Sequence, residues 1–147
     1  MRRGSLRNII RAHDGTAAIE FAIVAVPLLM LALGIFEFAR IYWTQEALQE
    51  SATAGARCVG ILQSSCASGG VYSSGNAASY VETVASGWGI TVPGADVTIT
   101  NAATCGGVSG FSQVSINFTY VALGASILPA SLKGKLLQVQ SCYPNNS

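Results

Sequence analysis

Residues Phe21–Phe36 read FAIVAVPLLMLALGIF, sixteen consecutive positions with no charge and no polar side chain. A helix needs about 20 largely apolar residues to cross a bilayer core of ~30 Å. Widening the run to Ala17–Phe38 gives 22 positions, with Glu20 and Glu37 then near the two interfaces. Before it stands MRRGSLRNIIRAHDG, with Arg2, Arg3, Arg7 and Arg11; after it come Arg40, Tyr42 and Trp43. An arginine-rich flank stays cytoplasmic, and Tyr and Trp favour the headgroup layer. The pattern predicts one membrane-spanning helix, amino terminus inside and the remaining chain outside. A secretory signal cut at Ala32-Leu33-Gly34 is the first competing reading. It places a carboxylate, Glu20, in the apolar region, and the helical pattern continues past the cut. A core helix of a soluble protein is the second. It gives the four leader arginines no role and leaves too little chain to enclose the helix.

The charges are unevenly placed. Half of the 147 residues are apolar and 10% are charged, with eight basic against seven acidic side chains. So much apolar surface excludes intrinsic disorder. A net charge of +1 excludes a binder that works by neutralising nucleic-acid phosphates. After Arg57 the only charged residues are Glu82, Asp96, Lys133 and Lys135.

Glu20 decides the functional reading. A carboxylate in an apolar helix costs up to ~3 kcal/mol at the membrane centre and less near an end, and such residues are usually paired or functional. Five places before it stands Gly15, in the string Gly15-Thr16-Ala17-Ala18-Ile19-Glu20-Phe21. A basic leader, a Gly, four residues and a Glu opening an apolar helix resembles the processing site of type IV prepilins. The whole stretch GTAAIEFAIVAVPLLMLALGIFEFARIYW resembles the TadE-like family of the Tad (tight adherence) pilus system. The resemblance rests on Gly15, Glu20, Phe21, Pro27, Glu37, Phe38 and Arg40.

That resemblance implies cleavage after Gly15 by a prepilin peptidase, leaving Thr16 as the new amino terminus. The cut would remove all four leader arginines and create an α-amine one helical turn from Glu20, with an ordinary pKa of about 8. Pairing with that amine, or with a neighbour's, would offset much of the carboxylate's desolvation. Glu20 and Phe21 are then assembly determinants; the plainer reading is a Glu snorkelling to the headgroups. Further partners implied are the inner membrane, the major Flp pilin, a second pseudopilin and the inner-membrane platform.

Pro27 lacks an amide hydrogen and is expected to kink or loosen the span, which membrane helices tolerate. The helix is expected to run on over residues 17–57, because RIYWTQEALQESATAGAR holds no Pro and a single Gly. Ile41, Thr44, Leu48, Ser51 or Ala52, and Gly55 or Ala56 form a mild stripe suited to packing on a sheet. Glu37 and Arg40, at i,i+3, are close enough to pair at the outer interface. Ser64–Asn76 reads as a loop dense in Gly and Ser. Ala77–Trp88 reads as an amphipathic helix capped by Asn76, its aromatics in the core. Period-two alternation marks strands at 96–100, 113–121 and 136–142, with 124–134 a crossover between the last two. The expected fold is α+β and pilin-like: a long transmembrane helix, a short helix and three or four antiparallel strands. The expected divisions are 1–15, a cleaved leader; 16–39, the span; and 40–147, a periplasmic head.

Cys58, Cys66, Cys105 and Cys142 all follow the span. Four cysteines allow three pairings; the short loop favours Cys58 with Cys66, leaving Cys105 with Cys142. No zinc spacing is present, and the single histidine, His13, lies in the leader. Disulfides imply an oxidising periplasm or cell exterior. The head offers no histidine base for a nucleophile, no phosphate loop and no metal-ligand cluster. The expectation is a non-catalytic protein without cofactor, metal, small-molecule substrate or nucleic-acid partner. The alternative is an uncleaved bitopic protein whose head binds a partner or the envelope.

Overall fold

In the computed structural model the described residues are 14–123 and 134–145, with side chains from Ala17 onward. One continuous helix, α1, runs over Asp14–Gly60. The chain divides at Ala39/Arg40 into an amino-terminal unit and a carboxy-terminal unit. In the first, Ile19, Phe21, Leu28, Met30, Leu33 and Phe36 are all exposed to more than half their area. This helix is long and apolar enough to cross a membrane, and none of its apolar window is buried in protein.

From Arg40 the same helix becomes one-sided. Ala47, Leu48, Ser51, Ala52, Gly55, Ala56, Cys58 and Val59 are buried, while Gln45, Glu46, Gln49, Glu50, Thr53 and Arg57 are exposed. The stripe read from the sequence is the buried face. A Cβ on Gly55 would overlap Val81 Cγ2 and touch Val114 Cγ2, so a side chain there would force α1 away from both neighbours. The buried hydroxyls add no unpaired donor. Thr44 donates to the Arg40 carbonyl at 2.9 Å and Ser51 to the Ala47 carbonyl at 2.8 Å.

α1 ends in a Schellman motif: the Gln63 amide donates to the Cys58 carbonyl at 2.9 Å and the Leu62 amide to the Val59 carbonyl at 3.1 Å. Leu62 takes the left-handed position, φ +50°. A Cβ there costs about 1–2 kcal/mol, and such strain persists where the surroundings over-determine it. Here the Cys58–Cys66 disulfide closes the turn, with Cα atoms 5.9 Å apart.

The stretch expected to be a loop holds a small hairpin, β1 (Ala67–Ser68) and β2 (Val71–Tyr72). Gly69 and Gly70, φ +60° and +81°, make its two-residue turn. Both central residues of this turn need positive φ, which Gly adopts without strain. The second helix, α2 (Ser74–Gly87), is capped by Ser73, whose Oγ accepts from the Asn76 amide. Asn76, the expected cap, lies inside the first turn and donates through Nδ2 to the Ala67 carbonyl at 3.0 Å. α2 closes in another Schellman motif with Gly89, φ +78°, at the left-handed position.

After a 3₁₀ turn at Gly94–Asp96 come β3 (Val97–Cys105), β4 (Val108–Val121) and β5 (Gly134–Pro144), an antiparallel sheet in that order. The fold is therefore α+β, as the periodicity indicates. β4 alternates in burial, with Ser112, Val114, Ile116 and Tyr120 buried on one face, joined by Leu137 and Val139 of β5. Val114, Ile116, Tyr120, Leu137 and Val139 share one core with Leu48 and Ala52 of α1 and Val81 and Ala85 of α2. The expected crossover between the last two strands is not needed topologically, since β4 and β5 are direct neighbours, Val121 opposite Gly134. Residues 124–133 themselves, with their leucines, lie outside the described residues.

The Cys105–Cys142 disulfide joins the two outer strands across β4, its Cα atoms 6.5 Å apart. They are not level in the register: Cys142 lies opposite Gln113, whose β3 partner is Thr100, whereas Cys105 lies five residues further on, opposite Val108. The β3 register is broken between Asn101 and Thr104, and irregularities of this kind bend a strand. Beside it, Asn145 Nδ2 donates to Asn101 Oδ1 at 3.1 Å, and the buried Ser112 hydroxyl is shared between the two asparagine carbonyl oxygens.

Two stability outcomes follow for the full chain unfolded by denaturant in detergent micelles. Replacing Cys105 and Cys142 by Ser, a separation of 37 residues, should cost ~4 kcal/mol; replacing Cys58 and Cys66, a separation of 8, should cost ~2.5 kcal/mol. Leu62→Gly should stabilise the chain by ~1 kcal/mol, because it relieves the left-handed leucine.

Candidate processing and assembly segment

The residues singled out at the start of the chain all fall on α1. Gly15 and Thr16 lie in its first turn, so the bond between them sits in helical backbone. Glu20 follows Thr16 by four residues, the spacing that puts two groups on one helix face. The Glu20 and Phe21 side chains are both exposed on this helix. Around Glu20, Ile19, Phe21, Ile23 and Val24 offer only apolar surface. The carboxylate is thus the sole acidic group on the described helix between Thr16 and Phe36.

Pro27 lies inside the helix, which continues through it. Its missing amide leaves the Ile23 carbonyl without the usual i→i−4 donor. Glu37 and Arg40 are three residues apart on the same helix, and each takes part in further interactions. Arg40 places its guanidinium carbon 5.7 Å from the centroid of the Tyr120 ring. A cation over an aromatic face at this distance is held by the ring quadrupole.

Sequence reasoning did not find the aromatic partners of this region. The sequence pattern places Tyr120 only on a strand and Trp88 only among the core aromatics of the second helix. Instead Trp88 caps the end of α2, is 43% exposed, and meets Trp43 edge-to-face with centroids 5.6 Å apart. Pairings between residues 45 or 80 positions apart leave no local periodicity to read.

The chemistry available in the carboxy-terminal unit is limited. A groove lined by Glu50, Thr53, Arg57, Gln63 and Tyr80 carries both charge signs. Tyr72 packs on the Cys58, Cys66 and Ala77 cluster, and burial pushes its phenol above its ordinary pKa of 10.0, making it a poorer proton donor. Among the described residues no group of three or more His, Cys, Asp or Glu is gathered as a metal site. All four cysteines are in disulfides.

The family described as TadE-like protein matches residues 15–57, from the glycine of the expected cleavage site to the last turns of α1. The resemblance read from Gly15, Glu20, Phe21 and the following helix is therefore found independently over that stretch, which is under a third of the chain. No curated protein and no solved structure matches the chain. The match associates the protein with the Tad pilus, and the long apolar helix fits a single-pass membrane protein of that system.

A double-mutant cycle tests the Arg40–Tyr120 contact. Arg40→Gln and Tyr120→Leu, measured singly and together by denaturant unfolding, should return a coupling of about 0.5–1 kcal/mol. Additive effects would remove the stacking from the account.

Proposed function

We propose that this protein is a minor pseudopilin-like component of Tad (Flp) pilus biogenesis, with a non-catalytic role in assembly or initiation at the bacterial inner membrane. In this reading residues 1–15 are a cytoplasmic leader, 16–39 the membrane span and 40–147 a periplasmic head. A prepilin peptidase hydrolyses the Gly15–Thr16 amide, giving a carboxylate on Gly15 and a free amine on Thr16. The two disulfides suit the oxidising side of the membrane.

The observation that carries the proposal is the family match beginning at Gly15, together with a lone carboxylate five residues later on an otherwise apolar, unburied helix. Glu20 then acts in docking. Its carboxylate takes the α-amine of Thr16, from its own chain or a neighbour's, and aligns the span among the spans of the major pilin and a second pseudopilin. Phe21 supplies apolar contact beside it. Pro27 loosens the helix between docking end and head, and Glu37 pairs with Arg40 at the outer interface. The inner-membrane platform then moves the assembly, with the disulfide-tied head as its cargo.

The mass of the membrane-bound protein in its host decides the first step. Loss of Met1–Gly15 is expected; the full-length mass would instead favour an uncleaved bitopic protein with a partner- or envelope-binding head, and a start at Ile35 would favour secretion. Glu20→Gln separates docking from insertion. The variant should insert normally, while co-purification with the pilin falls about 10- to 100-fold, the loss of one hydrogen bond to a charged group. Undiminished co-purification would leave Glu20 without an assembly role.

A further inference from the structure

We propose that the end of the carboxy-terminal unit formed by Trp43, Trp88, Val121, Leu123 and Leu136 seats in the lipid headgroup layer and holds the head down on the bilayer; this rests on the membrane reading of α1. Four elements converge at that end. Trp43 comes from α1, Trp88 from the end of α2, Val121 from the end of β4, and Leu136 from the start of β5. Leu123, just past β4, is 70% exposed, and Val121, Leu136 and Trp43 are each exposed by more than half. At the same end Thr44, Gly89, Phe118 and Val121 bound an open groove of about 350 Å³.

Lipid is the occupant that the position favours. The apolar run ends at Phe38, and Trp43 lies five residues on, about 8 Å along a helix. The headgroup layer of each leaflet is ~5–8 Å thick. Trp43 therefore falls in that layer, and Trp88, in ring contact with it, lies at a similar depth. Tyr and Trp are the residues that favour this layer.

The outer sheet face changes character at the same place. At this end it presents Val121 and Leu136; further along come Asn117 hydrogen-bonded to Gln138 at 2.9 Å, then Ser115 and Gln140. Lys135, opposite Tyr120 on β5, adds an exposed positive charge suited to anionic headgroups. Among the described residues of this unit the other exposed apolar side chains are Tyr42, next to Trp43, the adjacent pair Ile61 and Leu62 at the end of α1, and Val71 and Val108 at the two hairpins.

The test uses the full chain reconstituted into vesicles of phosphatidylethanolamine and phosphatidylglycerol. Trp43→Phe leaves Trp88 as the sole tryptophan. Its emission should be quenched by lipids brominated near the glycerol backbone and shielded from soluble iodide. With both tryptophans kept, Val121→Asn plus Leu136→Asn, on the solvent face of the sheet, should weaken that quenching about twofold. Protein that floats with the vesicles but leaves Trp88 open to iodide overturns the seating and spares the span. Shielding from iodide without quenching by brominated lipid means that protein covers the belt, and also overturns it. A chain that does not float with the vesicles overturns both readings.

Discussion

Everything in the carboxy-terminal unit depends on how closely α1 can be approached. Its buried face is built from Ala47, Leu48, Ser51, Ala52, Gly55 and Ala56, with a single large side chain among them. At Gly55, Val81 of α2 and Val114 of β4 reach the helix together, which no residue with a Cβ would permit without displacement. Close approach has an energetic consequence. Of the eighteen buried apolar residues among those described, six are alanines, whose burial removes far less area from water than leucine does. A core of this kind gains density more than hydrophobic energy. The two disulfides compensate by restricting the unfolded chain, and they sit at the end of α1 and across the sheet, where few large side chains are available.

One helix serves two environments by changing what its faces carry. Up to Phe38 large apolar side chains point in every direction, the arrangement of a helix whose surroundings are apolar all round. From Thr44 onward apolar and small residues keep to one side. Thr44 and Ser51 are tolerated there because each hydroxyl bonds to the carbonyl four residues back, and among the described residues no buried side-chain polar atom lacks a partner. The charged residues of this segment, Glu46, Glu50 and Arg57, take the opposite face.

The elements legible from sequence were those with a period. The long helix, the buried stripe from Thr44 to Ala56, and the alternation of Val114, Ile116 and Tyr120 each repeat a simple spacing, and each carries through to the structure. What was not legible was decided at single positions. Asn76 and Ser73 are both good caps; Ser73 takes the place because Asn76 is drawn to the Ala67 carbonyl of a hairpin that a two-residue strand cannot advertise. Gly69-Gly70, inside the stretch read as a loop, and Gly106-Gly107 are paired positive-φ positions, the signature of two-residue hairpin turns. Leu62 adopts a glycine's conformation with no glycine to announce it. Trp88 falls on the apolar stripe of α2 by spacing, yet it is drawn to Trp43 at the edge of the core. The family resemblance at Gly15, Glu20 and Phe21 was legible for another reason: a glycine, a carboxylate and an apolar run form a local string that needs no tertiary contact.

The helical backbone at Gly15 and Thr16 bears on how the proposed mature form works. A Gly15–Thr16 bond held in helix must be drawn out before a peptidase can reach it. Gly15 assists, since glycine weakens helix by about 1 kcal/mol relative to alanine. Once the bond is cut, the amine on Thr16 and the carboxylate on Glu20 stand at i and i+4, side by side on one face. A carboxylate one or two places after Thr16 would point away from the amine, and one eight places on would lie about 12 Å along the helix, deeper in the apolar layer. Four residues is therefore the spacing at which a carboxylate enters the span with a cation in reach of it, and the same spacing leaves that cation free to be shared with a neighbouring helix when the carboxylate turns outward.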